Sequence, residues 1–278
     1  MFMFCDYHVH TDYSDDSTYL MEDVVKDAIQ MGMKEICFTD HVDYGIKKDW
    51  SEGNIQYRNG EPIANVDYPK YFKELDIVKE KYKNQISIKK GLEFGMQMHT
   101  IEKYKKLYET YNFDFIILSI HQVDNKEFWT YEFQEGNSES EYYQAYYEEM
   151  YRVVQNYHDY SVLGHMDMLK RYDGKDGYNA FEEHKELITE ILKYVIKDGK
   201  GIELNTSSIK YGLDDLMPSR DILKLYYDLG GTILTIGSDS HKKEDLGAHI
   251  EELKEDLKKI GFKQFCTFKN MKPIYHEL

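Results

Sequence analysis

Ionisable side chains recur at one kind of place in this sequence, just after short apolar runs. His8 and His10 follow the run 2–7, Asp40 and His41 the run 35–39, and Glu93 the run 86–91; His121 follows 113–119, His165 and Asp167 follow 161–164, and Asp239 and His241 follow 232–237. Imidazoles and carboxylates without thiolates suit borderline divalent ions such as zinc, manganese or iron, and so point to metal-assisted hydrolysis. In His8-x-His10 the two rings face the same way if the strand stays extended, because side chains alternate with a period of two. A lone His-x-His or Thr-Asp-His is more often a solvated histidine than a ligand. Six of eleven histidines behind apolar runs is a pattern that packing alone does not produce. His99, His158, His184, His249 and His276 fall in helical or polar segments or the tail and are assigned no chemistry.

The elements that must carry these residues alternate. The runs above, with 201–205, make seven expected strands. Segments 21–31, 68–83, 100–111, 139–158, 180–197, 219–229 and 243–260 have the spacing of amphipathic helices. Gly32, Gly199, Gly230 and Gly261 stand where a glycine ends a helix. Repeated βα units predict an α/β fold with a parallel sheet, and in a parallel barrel the strand ends converge on one face. The apolar segment 265–268 is expected to close the chain against the first strand. Two long connections, 41–67 and 122–138, follow strand ends, where binding loops lie. Without a repeat or linker, residues 1–278 read as one domain.

Composition narrows the function. The 41% hydrophobic and 31% charged content is that of a globular chain. The opening MFMFCDYHVH lacks a basic n-region and is too short to span a membrane, so a cytoplasmic protein without membrane partners is expected. Cys5, Cys37 and Cys266 are few and scattered, and read as reduced, packed thiols. A net charge of −16 disfavours nucleic acid, but leaves room for a small phosphorylated substrate, because bound divalent ions reverse the potential inside one pocket. The tyrosines of EYYQAYYEEMYRVVQNYHDY have helical spacing beside glutamates, which favours helix packing over base stacking.

The stretches YHVHTDYSDDS, FTDH, GLEFG, SIHQV, GHMDM and GSDSH, spread over nearly the whole chain, together resemble the polymerase and histidinol phosphatase (PHP) superfamily. With GHMDMLKRY and IELNTSSIKYG the chain most resembles the monofunctional histidinol-phosphate phosphatases. That resemblance implies a distorted, seven-stranded, TIM-like barrel holding two or three divalent ions (Zn, Mn or Fe), and hydrolysis of L-histidinol phosphate to L-histidinol and phosphate in histidine biosynthesis. It assigns His8, His10, Glu93 and Asp239 to one metal, Glu93 with His121 and His165 to a second, and Asp16, His41 and His241 to a third. Many relatives carry histidine at the Asp16 position, and Asp15 beside it is the alternative ligand. Asp40 and Asp167 are expected to orient neighbouring imidazoles, with bonds to backbone in their turns as the alternative.

Arg171, after the His165 run, has the fork geometry to grip phosphate, with a surface ion pair to Asp173 as the alternative. Lys210 occupies a position where the closest relatives are expected to carry arginine, and would act as a point donor. Asn205 and Ser207 either contact substrate or close the turn after the sixth strand. Trp50 and Trp129 either recognise an imidazole or amine or pack within their loops. The rival readings are a phosphoesterase of the same superfamily acting on another small phosphate ester or on a nucleotide or nucleic-acid phosphodiester, and a metal-binding scaffold without activity. Oligomeric state is left open.

Overall fold

A computed structural model describes residues 3–58, 60–173 and 178–278. Seven strands pair in parallel in their order along the chain: β1 (Cys5–Val9), β2 (Glu35–Phe38), β3 (Ser87–Gly95), β4 (Phe115–Ser119), β5 (Val162–Leu163), β6 (Gly201–Asn205) and β7 (Leu234–Gly237). Their residues are buried almost without interruption, as in a sheet covered on one face by helices and filled on the other. The helices Met21–Gln30, Tyr68–Tyr82, Ile101–Thr110, Glu139–Asn156, Ala180–Lys197, Arg220–Asp228 and Ile250–Ile260 alternate with the strands. Several begin on the caps expected of their sequences. Asp67 accepts from the Lys70 amide, Ser219 from that of Ile222, and Ser138 and Glu141 form a reciprocal capping box.

β3 changes partners halfway. Ser87–Lys90 pairs with β2, and Gly91–Gly95 pairs with β4. At the switch a side chain on Gly91 would meet the Phe38 carbonyl oxygen at 2.7 Å and that of Phe115 at 3.0 Å, so the position admits only glycine. The two-residue strand His41–Val42 then pairs with Glu93–Phe94. The barrel closes at a seam between β7 and β1, where Val9 and Ser240 form a single parallel bridge and the His10 amide donates to the Ser240 carbonyl at 2.9 Å. Asp6 spans this seam, accepting from the Ser238 and Gly247 amides at 2.9 Å and from the Ser238 hydroxyl at 2.5 Å. The architecture is the distorted seven-stranded barrel anticipated from the sequence.

Several boundaries differ from expectation. β1 runs on to Val9, which resumes the pairing with Phe38 after an irregularity that spans the buried His8; Phe2, its expected start, lies outside the described residues. β3 likewise runs past Gly91 through the buried Glu93. The expected helix 243–260 is divided into a short turn, Lys243–Asp245, and a helix from Ile250, because Gly247 and His249 adopt φ of 65° and 62°. Residues 265–268 do lie against the first strand as expected, but without joining the barrel ladder. They belong to an antiparallel hairpin, Gln264–Lys269 with Lys272–Glu277, tied to β1 where the Phe268 amide donates to the Tyr7 hydroxyl at 2.7 Å. Both long connections carry unpredicted hairpins, Gln56–Arg58 with Glu61–Ile63 and Gln122–Val123 with Lys126–Glu127.

Candidate metal centre

The ends of the strands converge as the sequence implied. His8 lies in β1 and Glu93 in β3, while His10, His41, His121, His165, Asp239 and His241 follow strand ends. The register His41↔Glu93 sets the ring of His41 beside the carboxylate, its Nδ1 3.0 Å from Oε2. Glu93 is wholly buried, and its two oxygens face different imidazoles. Oε1 lies 2.7 Å from His165 Nε2 and 3.1 Å from His121 Nε2, and Ser119 Oγ donates to it at 2.6 Å. Oε2 lies 3.2 Å from His8 Nε2 and 3.6 Å from His10 Nε2. Asp239 Oδ1 stands 3.6 Å and 3.5 Å from the same two nitrogens. Asp16 Oδ2 is 3.2 Å from His241 Nε2 and 3.6 Å from His41 Nε2. Asp15 instead pairs with Lys47 at 2.6 Å, so in this arrangement Asp16 is the one that faces the imidazoles.

These residues fit divalent ions. Their donor atoms fall into groups lying within 4.8 Å of one another: His8, His10 and Asp239; His8, Glu93 and His165; His10, His41 and His241; and His41, Asp43 and His121. His10 Nε2 and His165 Nδ1 are buried without a hydrogen-bond partner, and His8 Nε2 and His41 Nδ1 meet Glu93 Oε2 only as ion-pair contacts at 3.2 and 3.0 Å without hydrogen-bond geometry, a costly state that coordination relieves. Electrostatics keep the carboxylates ionised. Burial opposes the charge on Glu93 and Asp239, but His8 and His121 hold Glu93, and His8 and Arg171 hold Asp239, well below the ordinary range. Burial, reinforced by His241 and His41, pushes His10 down, toward the neutral imidazole that a metal requires.

The outer nitrogens of the imidazoles are held by residues that sequence reasoning missed. Glu203 Oε1 lies 2.5 Å from His8 Nδ1, and Asp43 Oδ1 lies 2.8 Å from His121 Nδ1. Asp43 reaches His121 across Gly95, where any side chain would collide with both. Lys47 is buried and pairs with Asp43 at 2.8 Å. The signals were present: Glu203 is an acid inside the apolar run GIELN, and Asp43 and Lys47 lie an i, i+4 pair beyond His41.

Asp40 touches no imidazole directly. It accepts from the Thr11 amide and from Ser14 Oγ, at 2.7 and 2.8 Å, and Ser14 Oγ stands 3.2 Å from His10 Nδ1. Asp167 departs from its expected role, binding the Ser219 amide and Lys170 at 2.8 and 2.7 Å. Arg171 is directed inward, Nη2 donating to Ser207 Oγ at 2.7 Å and to Asp239 Oδ2 at 2.8 Å, while Asp173 binds Tyr142 and Tyr143 instead. Ser207 and Asn205 close the turn, Ser207 Oγ donating to Asn205 Oδ1 at 2.5 Å, and Asn205 Nδ2 reaches Asp239 at 3.3 Å. Lys210 is not drawn into the cluster; Asp245 holds it at 2.7 Å.

A divalent-metal site at the carboxyl ends of a parallel barrel, open to a pocket lined also by Arg171, Glu127 and Trp129, defines the class of metal-dependent hydrolases. The chain belongs to the PHP domain family, which it matches over residues 6–207. Along 96% of its length it is 32% identical to the histidinol-phosphatase of Lactococcus lactis, covering 95% of that protein. It is 30% identical to a probable histidinol-phosphatase of Clostridium acetobutylicum, with 99% of this chain and 97% of that one covered. It superposes on the crystal structure of histidinol phosphate phosphatase from Lactococcus lactis, complexed with zinc, L-histidinol and phosphate, with a TM-score of 0.83 and 30% identity, covering 97% of this chain and 98% of that one. Among the described residues, no helix is long and apolar enough to cross a membrane.

Proposed function

We propose that this protein is a divalent-metal-dependent phosphomonoesterase that hydrolyses L-histidinol phosphate to L-histidinol and phosphate in histidine biosynthesis. The observation that carries the substrate is the likeness, along nearly the whole chain, to a phosphatase whose structure holds zinc, L-histidinol and phosphate. Three ions (zinc, manganese or iron) are assigned: one to His8, His10, Glu93 and Asp239, a second to Glu93, His121 and His165, and a third to Asp16, His41 and His241. The opposed oxygens of Glu93 support its bridging role. When bound, such ions lower the pKa of water and neutralise charge that builds on phosphorus.

The chain's own residues orient and grip. Glu203 and Asp43 hold the rings of His8 and His121 so that their Nε2 atoms face the cluster. Asp40 fixes the Thr11–Ser14 turn and acts on His10 through Ser14. Arg171 is the phosphate clamp. Its Nη2 is engaged by Ser207 and Asp239, and its guanidinium lines the pocket in which the phosphate would sit. Asn205 and Ser207 support Asp239 and Arg171, and Lys210, tied to Asp245, adds positive charge at a distance.

The test is hydrolysis of p-nitrophenyl phosphate, its bis-ester and histidinol phosphate side by side, before and after chelation. Histidinol phosphate should be preferred, and chelation should abolish turnover until zinc, manganese or iron is restored. Preference for the diester, or full activity in protein shown to be metal-free by elemental analysis, overturns the reading. Turnover of none of the three would mark a scaffold.

A further inference from the structure

The pocket above the imidazoles has a wall that the phosphate chemistry does not use. Gln122 follows His121, and its register partner across a short hairpin is Glu127. The two-residue turn of that hairpin is Asp124-Asn125, both at positive φ (50° and 60°), the geometry a tight hairpin needs. Glu127 therefore stands beside the strand end that delivers His121, and it lines the same pocket together with Trp129. Both are fixed from outside by one cation. Arg58 Nη2 lies 3.1 Å from Glu127 Oε2, and the guanidinium carbon sits 4.6 Å from the centroid of the Trp129 ring.

The charge pairing around the pocket singles out Glu127. Lys47 answers Asp15 and Asp43, Arg171 answers Asp239, and imidazoles surround Glu93 and Asp16. Glu127 is engaged by none of these, and its partner Arg58 is not among the residues that line the cavity. A carboxylate beside an aromatic face attracts organic cations, and desolvation inside a pocket strengthens the attraction. Arg171, Glu127 and Trp129 line the same cavity, so an ester gripped at Arg171 has room for its other half beside this wall.

We propose that Glu127 and Trp129 form a subsite for a cationic leaving group, an alcohol bearing an ammonium or imidazolium, and so set the preference for such phosphomonoesters over neutral ones. The inference rests on the phosphomonoesterase reading above, and it gives a physical role to the second long connection.

The experiment measures kcat/KM of the metal-loaded enzyme on histidinol phosphate, phosphoethanolamine and glycerol 1-phosphate, in wild type, Glu127→Gln and Trp129→Leu. The ratio of each cationic ester to the neutral one should fall at least tenfold in Glu127→Gln, mainly through KM, and at least threefold in Trp129→Leu. Ratios within twofold of wild type in both variants overturn the subsite and leave the substrate assignment standing. A wild type that rejects histidinol phosphate but prefers phosphoethanolamine, with that preference lost in Glu127→Gln, overturns the substrate and keeps the subsite. Equal loss on all three esters in both variants counts against the subsite, because it assigns these residues to the fold or to the phosphate end.

Discussion

The carboxylate of Glu203 lies 2.5 Å from Nδ1 of His8, while Nε2 of the same ring faces Glu93 at 3.2 Å. A hydrogen bond at Nδ1 leaves Nε2 as a lone-pair donor and raises its basicity. Glu203→Gln keeps the shape but removes the charge. Metal affinity should fall about 10- to 100-fold, measured by competition with a chromophoric chelator. Unchanged affinity would reduce Glu203 to a packing residue.

Arg171 and Lys210 should separate cleanly. Arg171→Ala should lower kcat/KM by more than tenfold, about 1.4 kcal/mol of transition-state binding. Lys210 is paired with Asp245, and Lys210→Ala should cost less than threefold. Steady-state kinetics on both variants decides the matter, and a larger loss from Lys210→Ala would reverse the assignment.

Lys47 neutralises Asp43 and Asp15 from a position only 7% exposed. Lys47→Met leaves Asp43 buried without its cation, which should destabilise the fold by about 3–5 kcal/mol. Adding Asp43→Asn should recover part of that loss, since the two effects are coupled. Urea unfolding of the single and double variants tests this, and simple additivity would argue against the pairing.

The metal-free protein should lose stability as the solution turns alkaline. Burial disfavours the His121 cation, but Glu93 and Asp43 outweigh it and push the ring up to about 9; His8 and His41 are likewise lifted against burial, by Glu203 and Asp16 foremost. A raised folded pKa stabilises fully below the unfolded value, about 6.5, and the benefit is lost as pH climbs through the folded one. Tm of metal-free protein should therefore drop between about pH 6.5 and 9, and the drop should shrink once zinc replaces the protons. A flat profile without metal would contradict these charge states.

The ligand set was legible because strand ends advertise themselves, an apolar run followed abruptly by histidine or acid. The barrel was legible for the same reason, through seven βα alternations. What stayed hidden depended on pairing across the chain. Glu203 and Asp43 reveal their role only when β6 meets β1 and when the residues after β2 fold over Gly95. Boundaries slipped where polarity was mistaken for a strand end, as at His8 and Glu93, both fully buried. The pull of Asp245 on Lys210 was likewise invisible, because no local spacing announces an ion pair between loops.

The seam between β7 and β1 has a consequence for the order of events during synthesis. Asp6 leaves the ribosome 232 residues ahead of Ser238 and 241 ahead of Gly247, its two partners. His8 and His10 wait equally long for Asp239 and His241. A nascent chain thus carries half-built coordination spheres until β7 and the residues after it have emerged, and the ions can be loaded in their final places only after the polypeptide has closed on itself.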